Sequence, residues 1–397
     1  MPFCRGMARR GHTSVKIRTF LVCLTCSLGL GSAYAATTIN IVGHCTSAKS
    51  NYATISAAIA ATPANGVIEV CPGTYAEQIT IQKPVTITGI VVAGQPGVTI
   101  TAPASGLTQL PGLYSTYAQI FADNVNGAVN LSNLTVQAGL FNTEYGTFDL
   151  SEACNFISDS AGVYFQNARG TLDHLNIVGQ YGSLSESGTP SYEVPNCGNG
   201  MEFHNEKGTR VTVQESAVIQ AGFNGIYASA DLDADHNILS VSGPRSAGIS
   251  AGGGSITNNT ITASPYYEST GIRGGDTVEA NMVQSASYGI TGAGQVRRNM
   301  LLNNSISIVG NAASGNLIYA RKTYVDPTNL SCQEGAGGPA CNLPTVGVNL
   351  QCEKHADLTL NGIFDVGVGL ANMSAHDSIP ASNLFTGDTT ISTSCAQ

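Results

Sequence analysis

Tryptophan is absent from this chain, and charged residues make up only 11% of it. Basic residues are the scarcer kind, 17 Lys and Arg against 26 Asp and Glu, for a net charge of −9. A chain so short of positive charge is not built to hold nucleic acid, whose phosphates reward basic surfaces. An anionic polymer would likewise need a local basic site or a bridging cation. Outside the N-terminal region there is no run of ~18 apolar residues, so no membrane span is expected. Heptads are missing too, and no C-x-x-C pair occurs beyond residue 35, which speaks against a thiolate zinc site.

The first 35 residues read as an export signal. Arg5, Arg9, Arg10, Lys16 and Arg18 make a basic start, Phe20 to Leu30 is an apolar run too short to cross a membrane, and Ala33-Tyr34-Ala35 offers a small-x-small cleavage site. Removing residues 1–35 takes 17 basic residues to 12 and leaves all 26 acidic ones, so the net charge moves from −9 to −14. A secreted or periplasmic protein is expected, with residues 36–397 as one elongated domain and the protein a monomer. Cys4, Cys23 and Cys26 leave with the signal, and the other eight cysteines predict four disulfides in an oxidising compartment.

What the chain does have is a repeat. From Asn199 to Asn316 one phrase recurs five times, opening Gly200-Met-Glu-Phe-His, Gly225-Ile-Tyr-Ala-Ser, Gly248-Ile-Ser-Ala-Gly, Gly271-Ile-Arg-Gly-Gly and Gly289-Ile-Thr-Gly-Ala. About ten residues after each opening comes an apolar-x-x-Asn-x-apolar phrase, with Asn237, Asn259, Asn281, Asn299 and Asn316 in its fourth place. Their gaps are 22, 22, 18 and 17 residues. A period near 20 with alternating apolar residues marks a stacked repeat of two or three short strands per level. Levels would lie ~4.8 Å apart, close enough for the asparagine amides to bond up and down a ladder.

At this point the sequence resembles the right-handed parallel β-helices of the pectin-lyase-like superfamily. The resemblance implies an all-β fold, a single-stranded right-handed parallel β-helix (solenoid) of about ten coils, with a short N-terminal capping helix. Residues 51–61 suit that helix, with Ile55, Ala58 and Ile59 on one face and Pro63 and Gly66 ending it. The passage Gly73-Thr-Tyr-Ala-Glu followed by Ile81-Gln-Lys-Pro-Val-Thr-Ile-Thr-Gly is similar to the opening coil of pectin methylesterases. The catalytic phrases of that family do not carry over. Its two aspartates would fall on Gly182 and Gly200.

Further levels are expected at 118–137 and 161–178, with Gly347-Val-Asn-Leu, Asn361 and Val366-Gly-Val-Gly-Leu at the far end. Insertions interrupt the pattern at about 139–160, 181–198 and 319–345. Cys154 and Cys197 precede the same strand in adjacent levels, which predicts Cys154–Cys197. Cys45–Cys71 would tie the lead-in to the first coil, Cys332–Cys341 would close a Gly-rich loop, and Cys352–Cys395 would pin the tail.

In the opening strand the x positions of Gly-h-x-h-x point outward and stack in columns. One column reads Phe121, Tyr164, Glu202, Tyr227, Ser250, Arg273, Thr291, and the next Asp123, Gln166, His204, Ser229, Gly252, Gly275, Ala293. The second column shrinks toward the C-terminus and would leave a trough, walled by Tyr145, Tyr181, Tyr192, Tyr266 and Tyr267. Aromatic faces beside polar groups suit carbohydrate. Phe121, Asp123, Tyr164, Arg273, Tyr266 and Tyr267 are therefore candidate substrate-binding residues for a polysaccharide or other glycan.

Glu202, His204 and Tyr227 are the candidate catalytic residues, of types that suit a uronic-acid polysaccharide lyase. Arg273 stands about three levels from Glu202, some 14 Å, too far to share one sugar ring. Glycoside hydrolysis needs two carboxylates about 5–9.5 Å apart, and Asp123 and Glu202 fall at about 10 Å. Two classes stay open, a noncatalytic carbohydrate-binding β-helix and a polysaccharide-active enzyme. No cofactor is required, although Asp231, Asp233 and Asp235 at alternate positions are of a type that could hold Ca²⁺. The plainer reading is a solvated acidic strand, and His174 reads as a turn residue.

Overall fold

In this computed structural model the described residues are 39–45, 51–113, 116–137, 159–180, 198–243, 245–264, 268–310, 312–321, 323–325, 342–352, 356–373, 381–386 and 390–391. Residues 1–38 lie outside them, and residues Thr37–Gln397 form one compact unit. Period-two alternation makes each short segment a strand with one buried side, and every level contributes three such strands. A middle level runs Arg210–Gln214, then Ala217–Ala221, then the first half of Asn224–Asp235.

Stacking gives three parallel ladders. The first runs from Ile39–Val42, which also pairs with Asn51–Tyr52, through Gly66–Val70 to Asp357–Thr359, the second from Gly73–Ala76 to Leu384–Thr386, and the third from Ile79–Ile81 to Val368–Ala371 and on to Thr390–Ile391. Among the described residues the second ladder is a sheet of 12 strands. The first and third join in one sheet of 23 because Asn224–Asp235 and Ala247–Thr257 run unbroken around the corner between them. Parallel strands joined by such crossovers wind right-handedly, and the chain is a right-handed parallel β-helix. In the third insertion, Thr323–Val325 and Asn342–Pro344 pair as an antiparallel hairpin.

The interior is a column of aliphatic side chains, one set per level. Ile87, Leu131, Leu172, Val213, Ala234, Ile256 and Val278 follow one another inside the first ladder, all fully buried. Each stabilises the stack by about 1.5–3 kcal/mol of transfer free energy for the larger members. Phe165 and Phe203 add an edge-on pair with centroids 5.4 Å apart. Glycine opens the third-ladder strands because there is no room for more. A Cβ at Gly248 would overlap the Ile261 side chain and sit 2.7 Å from the Gly271 carbonyl oxygen.

The first corner is where the repeating asparagine acts. The residue before it takes a left-handed backbone at His236, Asn258, Ala280, Arg298 and Leu360, with φ of 54–57°. Such turns leave main-chain groups facing inward without a strand partner, and the asparagine side chain satisfies them. Asn259 Nδ2 donates to Asn281 Oδ1 at 2.9 Å and to the Ala234 carbonyl at 3.0 Å. Its own Oδ1 accepts from Asn237 Nδ2 and from the Asn237 main-chain N–H, both at 2.9 Å. The chain of amides continues through Asn281, Asn299, Asn316 and Asn361 to Asn383. At the N-terminal end Ser216 takes the asparagine's place, bonding Leu175 N at 3.0 Å and Asn237 Oδ1 at 3.0 Å. His174 occupies the left-handed turn position of its level, with φ 51°, and is paired with Asp173 and Glu215 at 2.9 Å each.

The capping helix α1 is Ile55–Ala61, shorter than the expected 51–61, since Asn51–Tyr52 is a strand and Thr54 is the N-cap. It buries Ile55, Ala58 and Ile59, the face anticipated. Glu77 of the pectin-methylesterase-like passage sits over its N-terminus, accepting from Ile55 N at 2.8 Å and Ser56 N at 3.0 Å. A carboxylate there meets the helix's free N–H groups and dipole. That motif glutamate is structural. Cys45–Cys71 is bonded, with Cα atoms 5.5 Å apart. Cys352 is also disulfide-bonded. Its expected partner Cys395, and the pairs Cys154–Cys197 and Cys332–Cys341, lie outside the described residues.

Replacing Asn281 by alanine strands several buried main-chain groups and should cost about 3 kcal/mol or more, since each unsatisfied group costs roughly 1–3 kcal/mol. Asn383→Ala, at the half-buried end of the ladder, should cost visibly less. Urea midpoints of the two variants check the ordering, and equal losses would show that the ladder does not bear on stability.

Candidate functional site

The outward column of the third ladder falls into register as its periodicity implies. Phe121 pairs with Tyr164, Tyr164 with Glu202, Glu202 with Tyr227, Tyr227 with Ser250, Ser250 with Arg273 and Arg273 with Thr291. The neighbouring column is straight only through Asp123, Gln166 and His204. Beyond it Asn224–Asp235 carries an extra residue opposite Gly252, a bulge between Ala228 and Asp231, so Ser229, Gly252, Gly275 and Ala293 do not form the single file expected.

The outward side chains are less open than a trough requires. Phe121 and Tyr164 are buried at 1% and 4% exposure, packed in a second apolar cluster with Leu110, Ala118 and Ala161 and flanked by Leu113. This corrects their expected place on an open carbohydrate surface: the 102–113 loop supplies the cover. Asp123 is half-buried and bonded by Asn124 Nδ2 at 2.6 Å. Arg273 is exposed and donates to Thr270 Oγ1 at 3.2 Å. Tyr266 and Tyr267, and the walling Tyr145, Tyr181 and Tyr192, lie outside the described residues.

Glu202, His204 and Tyr227 are brought together. Glu202 is 5% exposed, and His204 Nε2 donates to its Oε1. Asn199 Nδ2 donates to the other oxygen, Oε2, at 2.9 Å, while Asn199 Oδ1 accepts from Asn224 N at 3.0 Å. The His204 ring lies between two phenols, stacked on Tyr164 and tilted on Tyr227, with both centroids 5.2 Å away. Burial, and then the Glu202 carboxylate, push the Tyr227 phenol above its ordinary pKa, so it stays protonated. The result is a buried carboxylate, an imidazole held by it, and a neutral phenol at the half-exposed rim. Asn199 is a further member of the cluster beyond the residues expected, and its signal is its place directly before Gly200, repeated by Asn224 before Gly225.

Asp231, Asp233 and Asp235 do share one side of their strand, but they do not gather as a ligand set. Arg210 reaches Asp233 at 3.0 Å and Asp231 at 3.8 Å. Asp235 accepts from Thr257 Oγ1 at 2.6 Å and Asn258 Nδ2 at 2.9 Å and pairs with His236. Burial acts to raise its pKa, yet these bonds and the His236 charge outweigh it and hold the carboxyl below its usual range. Among the described residues no three His, Cys, Asp or Glu side chains are grouped to hold a metal ion.

The raised Tyr227 pKa has a defined linkage. The folded phenol keeps its proton where the unfolded one has lost it, so its contribution is complete below pH ~10 and declines as pH rises through the folded value. Difference absorbance between the parent protein and Tyr227→Phe should show a phenolate forming above pH 10. Glu202→Gln should lower that midpoint without restoring the ordinary value, because burial is the larger cause. An ordinary midpoint in the parent would refute the burial of this phenol.

No protein-family model matches the sequence, and neither does any curated protein. Solved structures do resemble it. A pectin methylesterase from Aspergillus niger is 18% identical over 65% of this chain and 78% of its own, with a TM-score of 0.39. A pectin methylesterase in complex with a hexasaccharide is 13% identical over 89% and 94%, at 0.39. The A-module of a mannuronan C-5 epimerase from Azotobacter vinelandii is 13% identical over 86% and 95%, at 0.38. Likenesses this distant carry nothing about chemistry. The three parallel ladders themselves make this chain a right-handed parallel β-helix.

Proposed function

We propose that the chain is an exported β-helix that binds polysaccharide across its third ladder, around His204 and Tyr227. The observation supporting this is the file of rings Tyr164, His204 and Tyr227, each 5.2 Å from the next. Its half-exposed end offers an apolar ring face and a hydroxyl side by side, the combination that sugars engage. Ser250 and exposed Arg273 follow in the same column, so a chain lying along the helix axis meets polar donors beyond the rings. Nothing in this reading requires a cofactor.

The Glu202–His204 bond favours a second reading, a uronate lyase. His204 would take the proton beside the sugar carboxylate, and the Tyr227 phenol would return one to the departing glycosidic oxygen. Such chemistry also needs the sugar carboxylate neutralised. Arg273 lies three levels from Glu202 in the register, about 14 Å, and cannot do it on the same ring. Binding is therefore the better-supported function.

Calorimetry against neutral and uronic polysaccharides, with unsaturated-product absorbance followed in parallel, separates the two. Binding without product should be seen, and His204→Ala and Tyr227→Ala should each weaken it about tenfold, near 1.4 kcal/mol. Product that disappears in His204→Ala would replace binding by the lyase reading. Absence of both binding and product across the panel would remove both.

A further inference from the structure

The second ladder differs from the rest of the molecule in one respect. None of its 12 strands contains an Asp, Glu, Lys, Arg or His. Both other ladders carry charge at many levels, among them Glu69, Arg210, Asp231, Glu279 and Arg297 in the first. The outward positions of the second ladder begin with threonines, including Thr99 and Thr135, and one of its two outward files becomes apolar toward the C-terminus, while the other reads Ser240, Thr262, Gln284, Leu302, Tyr319, Phe364 and Thr386. Ile238, Thr260, Met282, Met300, Leu317, Gly362 and Leu384 follow one another in register. Ile238 and Leu384 are each 57% exposed, Tyr319 46%, Leu317 41% and Met300 40%. Most of the large apolar side chains exposed among the described residues thus stand on this one sheet or, like Leu360, in the turn leading into it.

We propose that two copies of the chain pair through this sheet, face to face with their helix axes parallel. Charge points to a second copy as the occupant. The chain carries a net −9, so identical copies repel wherever their acidic surfaces meet, and only an uncharged face removes that cost. Shape agrees, since flat sheets pack about 10 Å apart with interdigitating side chains and aligned strands. Twelve levels extend about 53 Å and three-residue strands about 10 Å across. The footprint is about 500 Å² per copy, or roughly 1,000 Å² in all, where specific pairing begins. Parallel axes superpose apolar half on apolar half, and a two-fold axis along the solenoid makes the contact self-complementary. The third ladder stays open on both copies.

Sedimentation velocity of the mature chain at micromolar concentration should give a mass near twice that of one chain. Added salt should strengthen the association, because it screens the repulsion of the remaining surface. Leu317→Lys combined with Met300→Lys should leave a folded monomer with an unchanged melting temperature, as should Leu384→Lys with Tyr319→Lys. Ser255→Lys, on the first ladder, should leave the dimer intact. A parent protein that stays monomeric at all salt concentrations would overturn the proposal. So would a dimer that survives both double-lysine variants, or a monomer that uses this face to bind lipid vesicles or insoluble neutral polysaccharide.

Discussion

The fold depends on settling the main-chain groups that each turn directs inward. A solenoid has no large core to compensate for an unpaired carbonyl, and every level makes the same corner again. Here the debt is met by a side chain identical in composition to the peptide group it serves. The amides from Asn237 to Asn383 each link one level to the next, so the satisfaction of any level depends on its neighbour. This explains why residues as poorly suited to a left-handed backbone as Ala280 and Leu360 are held there. The turn that places the asparagine is worth more than the local strain, about 1–2 kcal/mol per residue.

The same register that aligns the amides aligns the site. Tyr164, Glu202 and Tyr227 are 38 and 25 residues apart in sequence and neighbours only because successive strands start at the same glycine position. His204 joins them from the adjacent column. Its ring is held by packing on both sides and by a carboxylate beneath, which is itself held by Asn199. The ring contacts each span one level and the two hydrogen bonds lie within the strand Gly198–His204, so the geometry of the cluster is set by strands rather than by loops.

Much of this could be read from the sequence, and for a physical reason. Periodicity is a property of the stack, so the asparagine phrase and the Gly-h-x-h-x phrase fixed the ladders, the column order and the meeting of Glu202 with Tyr227. What lay out of reach were effects without a period. The cover over Phe121 and Tyr164 comes from the 102–113 loop, whose sequence says nothing of where it lies. The bulge near Ala228 shifts the second column by one residue, a change that no repeat count reveals. The aspartate trio was placed correctly, but Arg210, one level earlier, already engages Asp231 and Asp233.

Two strands, Asn224–Asp235 and Ala247–Thr257, pass from the third ladder to the first without a break. Elsewhere the third-ladder strand ends at the corner and a separate turn leads into the first ladder. Where the strand is continuous, Tyr227 and Asp233 stand on one run of backbone, bulged between Ala228 and Asp231. The rim of the ring cluster is thus carried by the same strand that Arg210 engages at Asp231 and Asp233.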